Sequence, residues 1–243
     1  MTYPEIKPYK NASGDKKEQV KQMFDNISDK YDFLNHFLSL GIDKLWRKKI
    51  IHLMKPNRPT RILDVATGTG DLLLLQAQKL RPKRLVGLDL SEAMLERARQ
   101  KLERHHLNAE LVCGDAENMP FKDHSFDAVT VAFGIRNFGN LEKGLSEMAR
   151  VLAPGGKAYI LEFSQPRKTP FKQLYGFYAH HILPALGKIF SGDASAYTYL
   201  PESIRVFPYG KQMTNILRKT GFEPLQYIPL TFGVATVYIA SKA

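Results

Sequence analysis

At 243 residues the chain is long enough to bury a sizeable core, as one large or two small domains. It holds no run of eighteen apolar residues, its start (MTYPEIKPYK) lacks an apolar signal-peptide region, and Cys113 is its single cysteine. Those features argue against a membrane span, a secreted protein, an internal disulfide and a cysteine-built metal site, and so for a cytoplasmic protein. Lysine and arginine exceed the acids by 35 − 24 = 11, a surplus that attracts nucleic acid or an anionic membrane surface, unless it only solvates helix faces.

Residues 1 to about 14 are polar and turn-rich and read as a loose arm. From Asp15, apolar residues at Val20, Met23, Phe24, Ile27, Tyr31, Leu34 and Leu38 form one helical stripe ended by Gly41. A second helix carries Leu45, Trp46, Ile50 and Leu53 and stops near Pro56. Together, residues 15–55 predict a helical cap that packs on the core and lines a pocket mouth, with Tyr31 and Asn35 close to a ligand.

Residues 61–163 alternate strand and helix. Strands are expected at 61–66, 84–89, 109–113, 126–132 and 157–163, with helices at 70–80, 91–105 and 140–152. Ser91 suits a helix N-cap and LAPGG (Leu152 to Gly156) a sharp stop. This rhythm means a parallel sheet with right-handed crossovers. After Phe163, residues 164–210 form an aromatic-rich insertion. Then come a helix (Lys211 to Lys219) and two strands (Glu223 to Pro229, Ala235 to Ser241) joined by a turn too short for a crossover, hence an antiparallel hairpin at the sheet edge. One domain over residues 1–243 accommodates all of these parts.

The chemistry starts in RILDVATGTGD, a buried strand running into a glycine turn that opens a helix. Gly68 and Gly70 let the backbone approach a ligand, and Asp64 sits at the strand end where open α/β sheets bind. An acid ends each of the next two strands: Asp89, placed for a ribose diol, and Asp115, placed for an adenine amine with the Ala116 N–H beside it. The third glycine of the dinucleotide fingerprint is replaced by Leu73. With no pyrophosphate to cradle, acids around the turn suit a cationic ligand, which S-adenosylmethionine is. Ala66 keeps the turn possible but argues against a demand for positive φ there.

At the tip of the fourth strand FGIRN brings Arg136 and Asn137 to the active edge, and LEFSQP places Glu162 and Ser164 at the tip of the fifth. The insertion adds Tyr175, Tyr178, His180, His181, Tyr197, Tyr199 and Phe207, a lid suited to a large aromatic or lipid-like acceptor. FGIRN is not the Asn/Asp-Pro-Pro-Tyr/Phe of base methylation, and no cysteine stands in a Pro-Cys setting for attack on a pyrimidine. Nucleic acid is therefore not expected as a partner. No cluster of ligands stands at metal spacing either.

DVATGTGD and GDAENMPF resemble the class I S-adenosylmethionine methyltransferases. FGIRN, LEFSQP and YTYLPESIRVFP (Tyr197 to Pro208) narrow this, because they resemble the signatures of the ubiquinone/menaquinone biosynthesis C-methyltransferases, from about Val20 to the C-terminus. The resemblance implies a Rossmann-like seven-stranded, mostly parallel sheet with an antiparallel C-terminal strand, an N-terminal helical cap and a helical insertion after the fifth strand. It implies ring-carbon methylation of a prenylated hydroquinone, demethylmenaquinol or the benzoquinol intermediate of ubiquinone synthesis. Another small phenolic acceptor is the alternative. S-adenosyl-L-methionine would lie on Asp64, Gly68, Thr69, Gly70, Asp89, Asp115 and Ala116. Arg136 would stabilise a phenolate or merely bridge to Glu162 or Glu202, with Asn137 beside it. His181, Tyr199 or Glu202 would take the phenol proton. A lipid-tailed quinol as partner brings the enzyme to the inner face of an anionic membrane. A homo-oligomer is compatible with all of this.

Overall fold

In the computed structural model, which describes residues 6–9, 13–29, 31–166, 169–177 and 195–243, the central apolar runs become five parallel strands. These are β1 (Arg61–Val65), β2 (Arg84–Asp89), β3 (Glu110–Cys113), β4 (Phe126–Ala132) and β5 (Leu152–Phe163). Burial on both faces explains why β1, β2 and β4 read as nearly unbroken aliphatic runs; Leu63, Val65, Leu88 and Val129 are all fully covered. Between the strands run α4 (Asp71–Lys79), α5 (Glu92–Arg104) and α6 (Leu141–Val151). Ser91 and Asn140 cap the last two, accepting from the N–H groups of Met94 and Lys143.

The strand order is β3-β2-β1-β4-β5-β7-β6, so the chain reverses direction across the sheet between β1 and β4, where such sheets bind ligands. The C-terminal pair β6 (Phe222–Leu230) and β7 (Ala235–Lys242) forms the expected hairpin, with β7 antiparallel to both β5 and β6. LAPGG stops α6 at Val151 as expected, and the next strand starts within it. Leu152 already pairs with Phe126, and the register then jumps so that Lys157 meets Ala128; residues 153–156 bulge out, with Gly155 at φ +73°.

The N-terminal stripe is two helices rather than one. α1 (Lys16–Ile27) ends where the Ser28 hydroxyl donates to the Asp25 carbonyl, and α2 (Tyr31–Leu38) starts afresh. α3 (Ile42–Met54) follows Gly41 at φ +73° and buries Trp46, Ile50, Ile51 and Met54 against the sheet, each contributing about 1.5–3 kcal/mol. α1 buries only Gln19, Val20 and Met23, so polar contacts do most of its anchoring. In the insertion, α7 (Phe171–Phe177) and α8 (Ser195–Val206) precede α9 (Lys211–Lys219). Among the described residues no helix is long and apolar enough to cross a membrane.

Candidate active site

The turn after β1 is tighter than its glycines require. Ala66 stands at φ +50°, against the expectation drawn from its side chain, alongside Gly68 at +56° and Gly70 at +80°. Room for Ala66 comes from Gly134 across the turn: a Cβ on Gly134 would lie 2.5 Å from that of Ala66. The glycine of FGIRN is therefore a steric partner of the β1 turn. Gly70 serves packing as well, since a Cβ there would meet Ala98 of α5 at 2.9 Å, whereas around Gly68 nothing lies within 4 Å.

Asp64 does not turn toward that open space. It is buried, and its oxygens accept from the hydroxyls of Thr67 (2.7 Å) and Thr130 (2.5 Å). Burial pushes its carboxyl up to about 6, against the pull of both hydroxyls. Thr69 is engaged too, donating to Asp32 and accepting from Lys101 at 3.2 Å. Asp64, Thr69 and Gly70 thus shape the turn from behind, and none of them lines the neighbouring cavity.

That cavity encloses about 760 Å³ of space, the open solvent at its mouth included. Gly68, Asp89, Asp115 and Ala116 line one end, and Ala132, Phe133, Gly134, Asn137 and Phe138 the other. Asp89 accepts from the backbone N–H of Gly68 (2.7 Å) and Ser91 (2.9 Å), while burial pushes its carboxyl upward. Asp115 accepts from the Glu117 N–H at 2.8 Å.

Helix α1 forms the roof, with Lys17, Val20, Lys21 and Phe24, and Tyr31 of α2 lies beside them. Asn35, expected next to a ligand, is not in the lining; its amide nitrogen is buried without a partner. Lys17 reaches across to Asp115 at 2.6 Å and Glu117 at 3.3 Å. Its neighbour Lys16 donates to the carbonyls of Arg136 (2.9 Å) and Phe138 (2.8 Å). Sequence reasoning missed this strap, because adjacent lysines on a helix read as a solvated or anion-seeking face. Their surplus charge is spent inside the molecule. Behind the β1 turn, His36, Asp43 and Asp71 gather within 4.8 Å of one another. Arg47, Lys101 and the Ser39 hydroxyl already bond these acids, so the group is an ion-pair network that fastens α2 and α3 to α4.

At the apolar end, Arg136 bonds Glu162 at 2.8 Å and the Phe133 carbonyl, both side chains of the pair being buried; its Nε lacks a partner. Arg136 therefore makes the bridge foreseen as the alternative to a free cation. Asn137 lines the cavity and accepts from the Tyr199 hydroxyl at 3.0 Å. Burial pushes that phenol up to about 12, so Tyr199 keeps its proton at neutral pH and acts as a donor. Ser164 is tied to the Gly233 carbonyl and Thr236, both at 2.8 Å. Glu202 lines a different cavity, with Lys172, Tyr175 and Arg205. His180, His181 and Tyr178 lie outside the described residues.

A doubly wound sheet with a glycine turn after β1 and an acid at the tips of β2 and β3 defines the class I methyltransferase arrangement. The open space at Gly68, with Asp89 and Asp115 in the same wall, leaves room for a ligand whose hydroxyl and amine groups donate to those acids. Solved structures agree on the fold. A SAM-dependent methyltransferase from Thermotoga maritima matches with TM-score 0.66 and 20% identity over 92% of this chain and 100% of its own. Magnesium protoporphyrin IX methyltransferase from Synechocystis, solved with bound SAM, matches with TM-score 0.67 and 15% identity over 96% and 100%.

In sequence, the model of the ubiE/COQ5 methyltransferase family matches residues 12–242, and the chain belongs to that family. Among its relatives, demethylmenaquinone methyltransferase of Bacteroides fragilis is 50% identical over the whole of both chains. That of Porphyromonas gingivalis is 45% identical over the same span. The chain is thus an S-adenosylmethionine-dependent methyltransferase.

Proposed function

We propose that the protein methylates a ring carbon of a prenylated hydroquinone, converting demethylmenaquinol to menaquinol. One observation carries the reading: a single chamber under α1 joins an acid end (Asp89, Asp115) to an apolar, aromatic end (Phe133, Phe138, Phe24) where Asn137, bonded from behind by Tyr199, is the polar group. Relatives bearing the name demethylmenaquinone methyltransferase, at 42–50% identity over nearly the full chain, support it.

When bound, S-adenosylmethionine supplies an electrophilic methyl on a positively charged sulfur. Asp89 would hold the ribose hydroxyls, Asp115 and the Ala116 N–H the adenine edge, and Gly68 the closest backbone approach. Asn137, steadied by Tyr199, would orient the acceptor's hydroxyl, and alignment at near-attack distance is the main requirement. Ionisation of that hydroxyl raises electron density on the neighbouring ring carbon, while Arg136, spent on Glu162, braces the wall from behind. Of the three candidate bases, Tyr199 stays protonated and Glu202 faces another cavity, which leaves His181, worth ~10²–10⁴ in rate.

The test supplies purified protein with S-adenosylmethionine and a demethylated naphthoquinol and reads the product by mass spectrometry. A product one methyl heavier, with the methyl on ring carbon, is expected. No product, or a methyl found only on oxygen or on added RNA, would overturn the proposal.

A further inference from the structure

Leu40, Leu45 and Phe232 leave 80%, 62% and 67% of their surfaces in solvent. Their segments are joined: the Trp46 indole N–H, next to Leu45, donates at 2.8 Å to the hydroxyl of Thr231, next to Phe232. Leu40 and Phe232 both sit in left-handed backbone, at φ +52° and +57°, a region that non-glycine residues avoid. Phe232 stacks on Phe171 with centroids 3.6 Å apart, which makes a two-ring tip.

The location ties these tips to the active edge. The turn carrying Phe232 leaves the sheet where Ala235 pairs with Phe163, at the carboxyl end of β5. The joint carrying Leu40 and Leu45 is held to the same edge by Arg47, which faces Asp71 at the start of α4. Exposed Lys44, Lys48 and Lys172 flank the tips. Unlike Lys17, these lysines form no ion pair among the described residues.

Separate apolar points on two turns and on the first turn of α3, flanked by unpaired cations, fit a fluid apolar layer under anionic headgroups better than a folded protein groove. We propose that this edge docks on an anionic phospholipid bilayer, with Leu40, Leu45 and Phe232 entering the headgroup region and the lysines meeting lipid phosphates. It rests on the reading that the acceptor carries a lipid tail, because docking would then bring the chamber to the acceptor.

The test floats the full chain with vesicles of phosphatidylglycerol and phosphatidylcholine, and with phosphatidylcholine alone. The wild type should float with the anionic vesicles. A Leu45→Ser/Phe232→Ser variant should bind at least about tenfold more weakly, and Lys44→Glu/Lys48→Glu should lose the anionic preference, at roughly fivefold per lysine. Both should match the wild type on a tail-less demethylated naphthoquinol and fall behind on a long-tailed one held in vesicles. Leu225→Ser/Tyr227→Ser, on the exposed edge strand, should change nothing. Wild type that binds neither vesicle, or edge variants that bind as well as it does, would overturn the docking surface, as would an equal loss in the control. Failure of the wild type on the tail-less acceptor would instead overturn the functional reading, and flotation would still decide the surface.

Discussion

At one end of the chamber Asp89 and Asp115 accept hydrogen bonds from backbone N–H groups of Gly68, Ser91 and Glu117. At the other, side chains far apart in sequence hold one another: Arg136 with Glu162 across 26 residues, and Asn137 with Tyr199 across 62. The acid end follows from short motifs and strand tips, so any chain that closes this turn obtains it. The apolar end exists only once β4, β5 and the insertion have packed together. The first should therefore tolerate side-chain changes in its fold and lose ligand, while the second should lose structure first.

The largest effect is expected at the Arg136–Glu162 pair. Arg136→Ala leaves a buried carboxylate unpaired and should cost about 3–5 kcal/mol, lowering the midpoint of thermal unfolding by roughly 10 °C for a chain of this size. Arg136→Met combined with Glu162→Leu should recover most of that loss. Calorimetric melts of the two variants would blunt the contrast if Arg136→Ala melted with the wild type.

Next comes the foundation of the acid end. Asp64 titrates near 6 in the fold against an ordinary value of 3.8, so between those values the folded chain binds more protons than the unfolded one. Its contribution is fully present below about pH 4 and is lost as pH rises through 6, an effect on the order of 2–3 kcal/mol. Asp64→Asn should flatten this decline in denaturant titrations from pH 4 to 7. An unchanged slope would mean that burial does not hold the proton there. The smallest effect belongs to Tyr199→Phe, which removes one hydrogen bond to Asn137 and should cost about 1 kcal/mol. It should lower kcat while leaving the KM for S-adenosylmethionine in place; a KM change without a kcat change would move Tyr199 to the acid end.

The same contrast explains what could be read from the sequence. Periodicity and turn residues located β2, β4, α9 and the terminal hairpin to within a residue or so, because each is set by its own side chains. The acids at the tips of β2 and β3 were legible for the same reason. The break between α1 and α2 was not, since the apolar stripe continues through it and only the Ser28–Asp25 bond marks it. Asp64 shows the limit at the site itself: sequence puts an acid at the strand end, but only packing shows Thr67 and Thr130 turning it inward. Ala66 at positive φ depends on Gly134, 68 positions further on, and the Lys17–Asp115 contact spans 98 residues. No local pattern encodes either one.

The most direct measurement is calorimetric titration of the folded protein with S-adenosylhomocysteine, wild type beside Asp89→Asn and Tyr199→Phe. The wild type should bind one equivalent, Asp89→Asn should bind at least about tenfold more weakly through the loss of a charge-assisted hydrogen bond, and Tyr199→Phe should bind like the wild type. Absence of binding by the wild type, or equal affinity in Asp89→Asn, would contradict the account of the chamber.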